Sequence, residues 1–224
     1  MSHAQDERRA ICDLLAELGP DKPTLCDGWQ TVDLAAHLVL REHRPDAAAG
    51  VMGGPLAGYT GKVQARLIDR TPFPQLIELI RTGPPRLSVF GLPGADERLN
   101  LVEYFVHHED VLRAQPGFSP RQVSTELADL LWDRLPLARL MLRRAPVGVE
   151  LARADATGSA ANPSLHNGNG RVRITAKART PLVTVTGSPA ELTLWVMGRT
   201  SAAQVHLDGN DSDVAALRSN AWRH

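Results

Sequence analysis

Apolar positions recur every three or four residues through most of the chain up to about residue 143. Beyond residue 146 they fall at every second position and β-branched side chains become common. The change predicts a helical first part and a strand-containing second part. Ile11, Leu14, Leu15 and Leu18 predict a helix over about 6–18, stopped by Gly19 and Pro20. A turn-rich link holding LCDGW (25–29) leads to a second helix, about 32–48. Thr31 is its expected N-cap, and Asp33 sits in the first turn, where a negative charge suits the helix dipole. Leu34, His37, Leu38 and Arg41 lie along one side of that helix, and Gly50, Gly53, Gly54 and Pro55 end it.

Shorter helices are expected over about 60–69 and 74–81. A loop region follows, bounded by Gly83-Pro84-Pro85 and Gly91-Leu92-Pro93-Gly94. A central helix begins near Asn100 and ends before Pro116-Gly117. Another, about 124–143, carries leucines at 127, 130, 131, 135, 137 and 140 and is expected to kink at Pro136.

In the second part VGVELARADA, RVRITAKA, PLVTVTG and AQVHLDG read as short strands, and the Asn/Gly/Ser-rich stretch 158–170 reads as a flexible hairpin loop. One helix interrupts them, SPAELTLWVMGR (188–199), with Ser188 as N-cap, Pro189 at the first position and Glu191 as capping-box partner. The expected organisation is therefore a mainly α chain, with a helical domain over 1–145 and a small α+β domain over 146–224.

The candidate chemistry is concentrated in LVEYFVHHEDVLRA (101–114). Glu103, His107 and Asp110 are spaced by four and then three residues and share one helical face. A carboxylate and an imidazole one turn apart can grip a divalent metal, and His37, in the second helix, is the best third ligand. Each residue also has a plain structural role open to it. Glu103 could close a capping box with Asn100, and His107 and His37 could be hydrogen-bonded core histidines. Asp110 could orient the His107 ring through its second nitrogen, or be an exposed carboxylate paired with Arg113. His108 points about 100° away from His107 and is expected at the surface or behind the site.

Charge and composition narrow the field. Lys plus Arg and Asp plus Glu are equal at 25 each, which gives no support to a nucleic-acid partner. No run approaches the roughly 18 apolar residues of a membrane span, and MSHAQDERRAICDLL lacks a signal-peptide core. A soluble cytoplasmic protein is the expectation. Cys12 and Cys26 form no disulfide or metal pattern and are expected as small buried apolar groups. Gly-rich phosphate loops, nucleophile elbows and zinc-protease helix motifs are absent from the sequence.

LCDGWQTVDLAAHLVLREHRPDAAAG together with VEYFVHHEDVLRA resembles the metal-binding, DinB-like four-helix bundle of mycothiol-dependent maleylpyruvate isomerases and their relatives. GSPAELTLWVMGR followed by VHLDGNDSDVAAL is similar to the small C-terminal domain of that group. The resemblance covers most of the chain, more loosely over about 51–98. It implies a metal held by His37, Glu103 and His107 with Asp110 trailing, usually zinc, with nickel also possible. It also implies mycothiol as co-substrate, activated as a metal-bound thiolate for S-transfer to, or isomerisation of, a small electrophile. Arg199 corresponds to an arginine thought to assist the substrate, while a helix C-terminal charge paired with the dipole is its plain alternative. Two other functions stay open: a non-catalytic metal-binding protein, and a small-molecule or partner-binding module with an apolar cavity between the strands and the 188–199 helix.

Overall fold

A capping box starts the first helix. The Ser2 hydroxyl accepts from the Gln5 N–H, and the Gln5 side-chain oxygen accepts from the Ser2 N–H, both at 3.3 Å. The computed structural model describes residues 2–48, 50, 55–84, 100–154 and 172–219. Most of the 83–94 loop region, Gly53, Gly54 and all of 158–170 lie outside them. The described residues are mainly helical, with one small four-stranded sheet. Among them no helix is long and apolar enough to cross a membrane.

The chain divides into two compact units, Met1–Pro120 and Arg121–His224. The first contains α1 (His3–Leu18), α2 (Thr31–His43), α3 (Pro45–Ala48), α4 (Ala57–Arg70), α5 (Phe73–Thr82) and α6 (Leu101–Arg113). Two expectations about α2 are corrected. Its N-cap is Gln30, because the Thr31 hydroxyl donates to the Gly19 carbonyl at 2.6 Å instead of capping. The helix also stops at His43, since Arg44 precedes Pro45 and adopts φ −129° and ψ 72°, outside the helical region. Pro45 then opens the short α3.

Ile11 and Leu15 of α1, Leu34 and Leu38 of α2, Leu76 and Ile80 of α5, and Tyr104 and Val111 of α6 form one buried core. A polar knot lies within the same unit. Arg8 donates two hydrogen bonds to Glu42, at 2.7 and 2.8 Å, and a third to the Ile80 carbonyl at 2.9 Å. Asn100 and Tyr104 add donors to Glu42 at 2.9 and 2.8 Å. The guanidinium also stacks 4.5 Å from the Tyr104 ring centroid.

The second unit begins with α7 (Thr125–Arg134), a 3-10 turn at Leu135–Leu137 and α8 (Ala138–Met141). The break falls at Pro136, where the sequence placed a kink. The boundary expected at 145/146 is displaced to Pro120, because Trp132, Leu135, Ala138 and Leu142 bury themselves in the same core as the sheet. Helical periodicity marks an apolar face and says nothing about which partner covers it.

The sheet runs in the order β2 (Arg173–Lys177), β1 (Gly148–Arg153), β3 (Leu182–Gly187) and β4 (His206–Asp208). β1 is antiparallel to β2 and parallel to β3, with Val149 opposite Val183 and Leu151 opposite Val185. α9 (Pro189–Val196) starts at Ser188, whose hydroxyl accepts from the Glu191 N–H at 3.3 Å. The Glu191 carboxylate accepts from the Gln204 N–H at 2.7 Å. Leu192, Trp195 and Val196 belong to one core with the strand residues. The unit closes with α10 (Asp211–Arg218).

Gly148 is where the sheet demands the smallest residue. A Cβ there would overlap the Arg179 carbonyl oxygen and lie 2.9 Å from the carbonyl carbon, while the Gly148 N–H is fixed to the Pro181 carbonyl at 2.8 Å. Gly148→Ala is expected to lower stability by about 1–3 kcal/mol, the usual range for overpacking, in urea or thermal denaturation. A change of a few tenths would mean that the Arg179 backbone yields without cost.

Candidate metal centre

α6 is entered without a side-chain cap. Asn100 holds φ −107° and ψ −18°, and its amide is directed to Glu42. The capping box that would occupy Glu103 is therefore not formed. The half-buried Glu103 carboxylate instead lies 3.6 Å from an Arg41 guanidinium nitrogen and 3.5 Å from Nε2 of His107. His37 of α2 meets this pair: its ring centroid is 5.1 Å from that of His107, edge to face. Both residues are 7% exposed. Donor atoms of His37, Glu103 and His107 all lie within 4.8 Å of one another.

The second ring nitrogen of His107 is held from behind, where Nδ1 is 2.9 Å from Oδ2 of Asp110. Asp110 is fully buried, so it is not an exposed carboxylate, and Arg113 pairs with Glu109 at 2.7 Å. His108 is also buried, with Nδ1 3.1 Å from Glu7, and so is not a surface residue.

The loop after α1 braces both histidines. It closes through the Thr24 N–H to the Trp29 carbonyl at 3.2 Å, and Gly28 takes the left-handed φ of 72° that a tight reversal requires. Trp29 packs on the His37 ring at 5.1 Å. The Leu25 N–H donates to the Asp110 carbonyl at 3.0 Å, and the Cys26 thiol donates to its carboxylate at 3.3 Å.

Electrostatics follow from these contacts. Burial opposes charge on both groups. For Glu103 the His107 ring and the Arg41 and His37 charges prevail, lowering its pKa to about 2. For His107 the Asp110, Cys26 and Glu103 partners prevail, raising it to about 10. A cation entering between Glu103 and His107 must therefore displace a proton.

Two imidazoles and one carboxylate make a donor set that suits zinc with one position left for an external ligand. Orientation of His107 by a buried carboxylate is the usual support for a ligating histidine. On chemistry and spacing, these residues fit a divalent metal.

Sequence reasoning singled out His37, Glu103, His107 and Asp110, and the fold brings all four together. Arg199 belongs to the second unit, where its Nη1 donates to the Met197 carbonyl just past α9 at 2.6 Å. Arg41 was noticed only as part of the helix face. Its position four residues after His37 was the signal, since one helical turn sets it beside the same site. One of its guanidinium nitrogens, Nη1, is shielded from water and has no hydrogen-bond partner among the described residues. Cys26 gave no such signal. Its thiol reaches Asp110 across 84 positions of sequence.

No protein-family model, curated protein or solved structure matches the chain significantly. The functional reading consequently stands on the motifs and on the geometry of the residues themselves.

Proposed function

We propose that the first unit is a DinB-type bundle in which His37, Glu103 and His107 hold a divalent metal, zinc or nickel. We further propose that the protein uses this centre, with a small thiol such as mycothiol, in S-transfer to or isomerisation of a small electrophile. The observation that carries the reading is the convergence of three donor atoms from two helices within 4.8 Å, with the His107 ring fixed by Asp110. When bound, such an ion supplies the positive charge that keeps a thiol sulfur deprotonated near neutral pH.

The chain's own residues have separate tasks in this scheme. Asp110 holds the His107 tautomer, and Trp29 holds the His37 ring. Arg41 stands beside the centre with a nitrogen able to donate to an anionic group on a substrate, a role that guanidinium geometry suits.

The test is elemental analysis of the purified chain, wild type beside His37→Ala, followed by thiol addition to the cobalt-loaded protein. About one equivalent of metal in the wild type, its loss in the variant, and a sulfur-to-cobalt charge-transfer band on adding mycothiol are expected. No metal uptake from excess zinc would overturn the reading.

A second reading has an observation of its own. Arg41 and a protonated His107 face the two carboxylates of Glu103 and Asp110, so the cluster balances its charge without any ion. It would then be a structural ion-pair network, and the same analysis would return a metal-free protein of unchanged composition in both variants.

A further inference from the structure

His107 presents its two ring nitrogens to two different sets of donors. Nε2 faces Glu103, while Nδ1 faces the Asp110 carboxylate, whose same oxygen accepts from the Cys26 thiol. We propose that Cys26, Asp110 and Nδ1 of His107 form a second metal site, selective for thiophilic cations and mutually exclusive with the first.

The spacing is already that of a coordination shell. Asp110 Oδ2 lies 2.9 Å from Nδ1 and 3.3 Å from the Cys26 sulfur, and the three donor atoms fall within 4.8 Å of one another. Ligand atoms around one tetrahedral ion stand roughly 3.3–3.8 Å apart, as bond lengths of about 2.0–2.3 Å require. Only small movements separate the present hydrogen-bonded cluster from an occupied one.

The donors are also held in place. The Cys26 N–H donates to the Thr24 hydroxyl at 3.1 Å, its carbonyl accepts from Trp29 at 2.9 Å, and Leu25 ties the loop to Asp110. Asp110 is fully buried, whereas Cys26 is only partly so.

Selectivity and exclusivity follow from the donors. One thiolate and one carboxylate neutralise a dication, and the soft sulfur favours cadmium or copper(I) over the harder magnesium and calcium. On binding, the Cys26 thiol and Nδ1 of His107 each give up a proton to solvent, and sulfur–metal and nitrogen–metal bonds form. Asp110 exchanges its hydrogen bonds to Cys26 and His107 for a bond to the ion. Neutral imidazole has one lone pair, so the His107 proton then resides on Nε2, toward Glu103. With Nε2 protonated, His107 is no longer a ligand for the first site.

This inference goes beyond the function proposed above and does not depend on it. Its test is titration of the full chain with cadmium chloride, following the ultraviolet thiolate-to-cadmium charge-transfer band. Wild type, Cys12→Ser and His37→Ala are expected to give the band at one equivalent, and Cys26→Ser to lose it while keeping the wild-type zinc content. Circular dichroism of Cys26→Ser checks that the variant is folded. No band in the wild type, or a band surviving in Cys26→Ser, would overturn the second site. Loss of the band in His37→Ala would overturn the separate donor set. A cadmium band in a protein that takes up no zinc would support the second site and count only against the function proposed above.

Discussion

Glu42→Ala is expected to destabilise the first unit by about 3–5 kcal/mol, the range for breaking a buried ion pair from one side. The Arg8 and Glu42 side chains are 7% and 1% exposed, and the pair is bidentate. Removing the carboxylate would take from the buried Arg8 guanidinium its bidentate partner, and would take an acceptor from Asn100 and Tyr104 as well. Removing both charges is a different experiment. Arg8→Met combined with Glu42→Leu fills the space with apolar groups and leaves no buried charge, so the double variant should lose less than Glu42→Ala alone. Urea unfolding of the full chain, wild type against the single and double variants, measures both. A Glu42→Ala loss below about 1 kcal/mol, the scale of an exposed pair, would mean that water reaches the knot.

The second large effect is expected at His107. Each of the two donor sets needs one of its ring nitrogens, so His107→Ala should abolish uptake of both zinc and cadmium. Asp110→Asn should act less drastically. It keeps the size of the side chain but weakens its hold on Nδ1, and loss of such support typically costs roughly 10–100-fold in metal affinity. Zinc competition titrations on wild type, Asp110→Asn and His107→Ala give the order. Zinc affinity in His107→Ala equal to that of the wild type would remove this histidine from the site.

Much of this was legible in the residues. Helical periodicity located α1, α2, α5 and α6, and the spacing of Glu103, His107 and Asp110 put them on one face before any fold was known. Helix ends were less legible. Thr31 has the right chemistry for a cap, but a carbonyl from Gly19, twelve residues earlier, takes its hydroxyl. Asn100 likewise caps helices well, yet Glu42 draws its amide away. In both cases a tertiary partner outcompeted a local one.

What the sequence determined by itself is the local part: where most helices and strands run, where Pro136 interrupts them, and which polar residues share a helical face. Those features depend on backbone sterics and on neighbours within a turn. The tertiary structure decided everything that depends on distant partners. It assigned α7 to the sheet rather than to the first unit, made Asp110 a buried support, and set Arg41 beside Glu103. It also brought Cys26, from a loop that looks unremarkable in sequence, onto the far side of His107. Apolar patterning tells each element that one face must be buried, but only the packed chain determines which polar groups are enclosed with it.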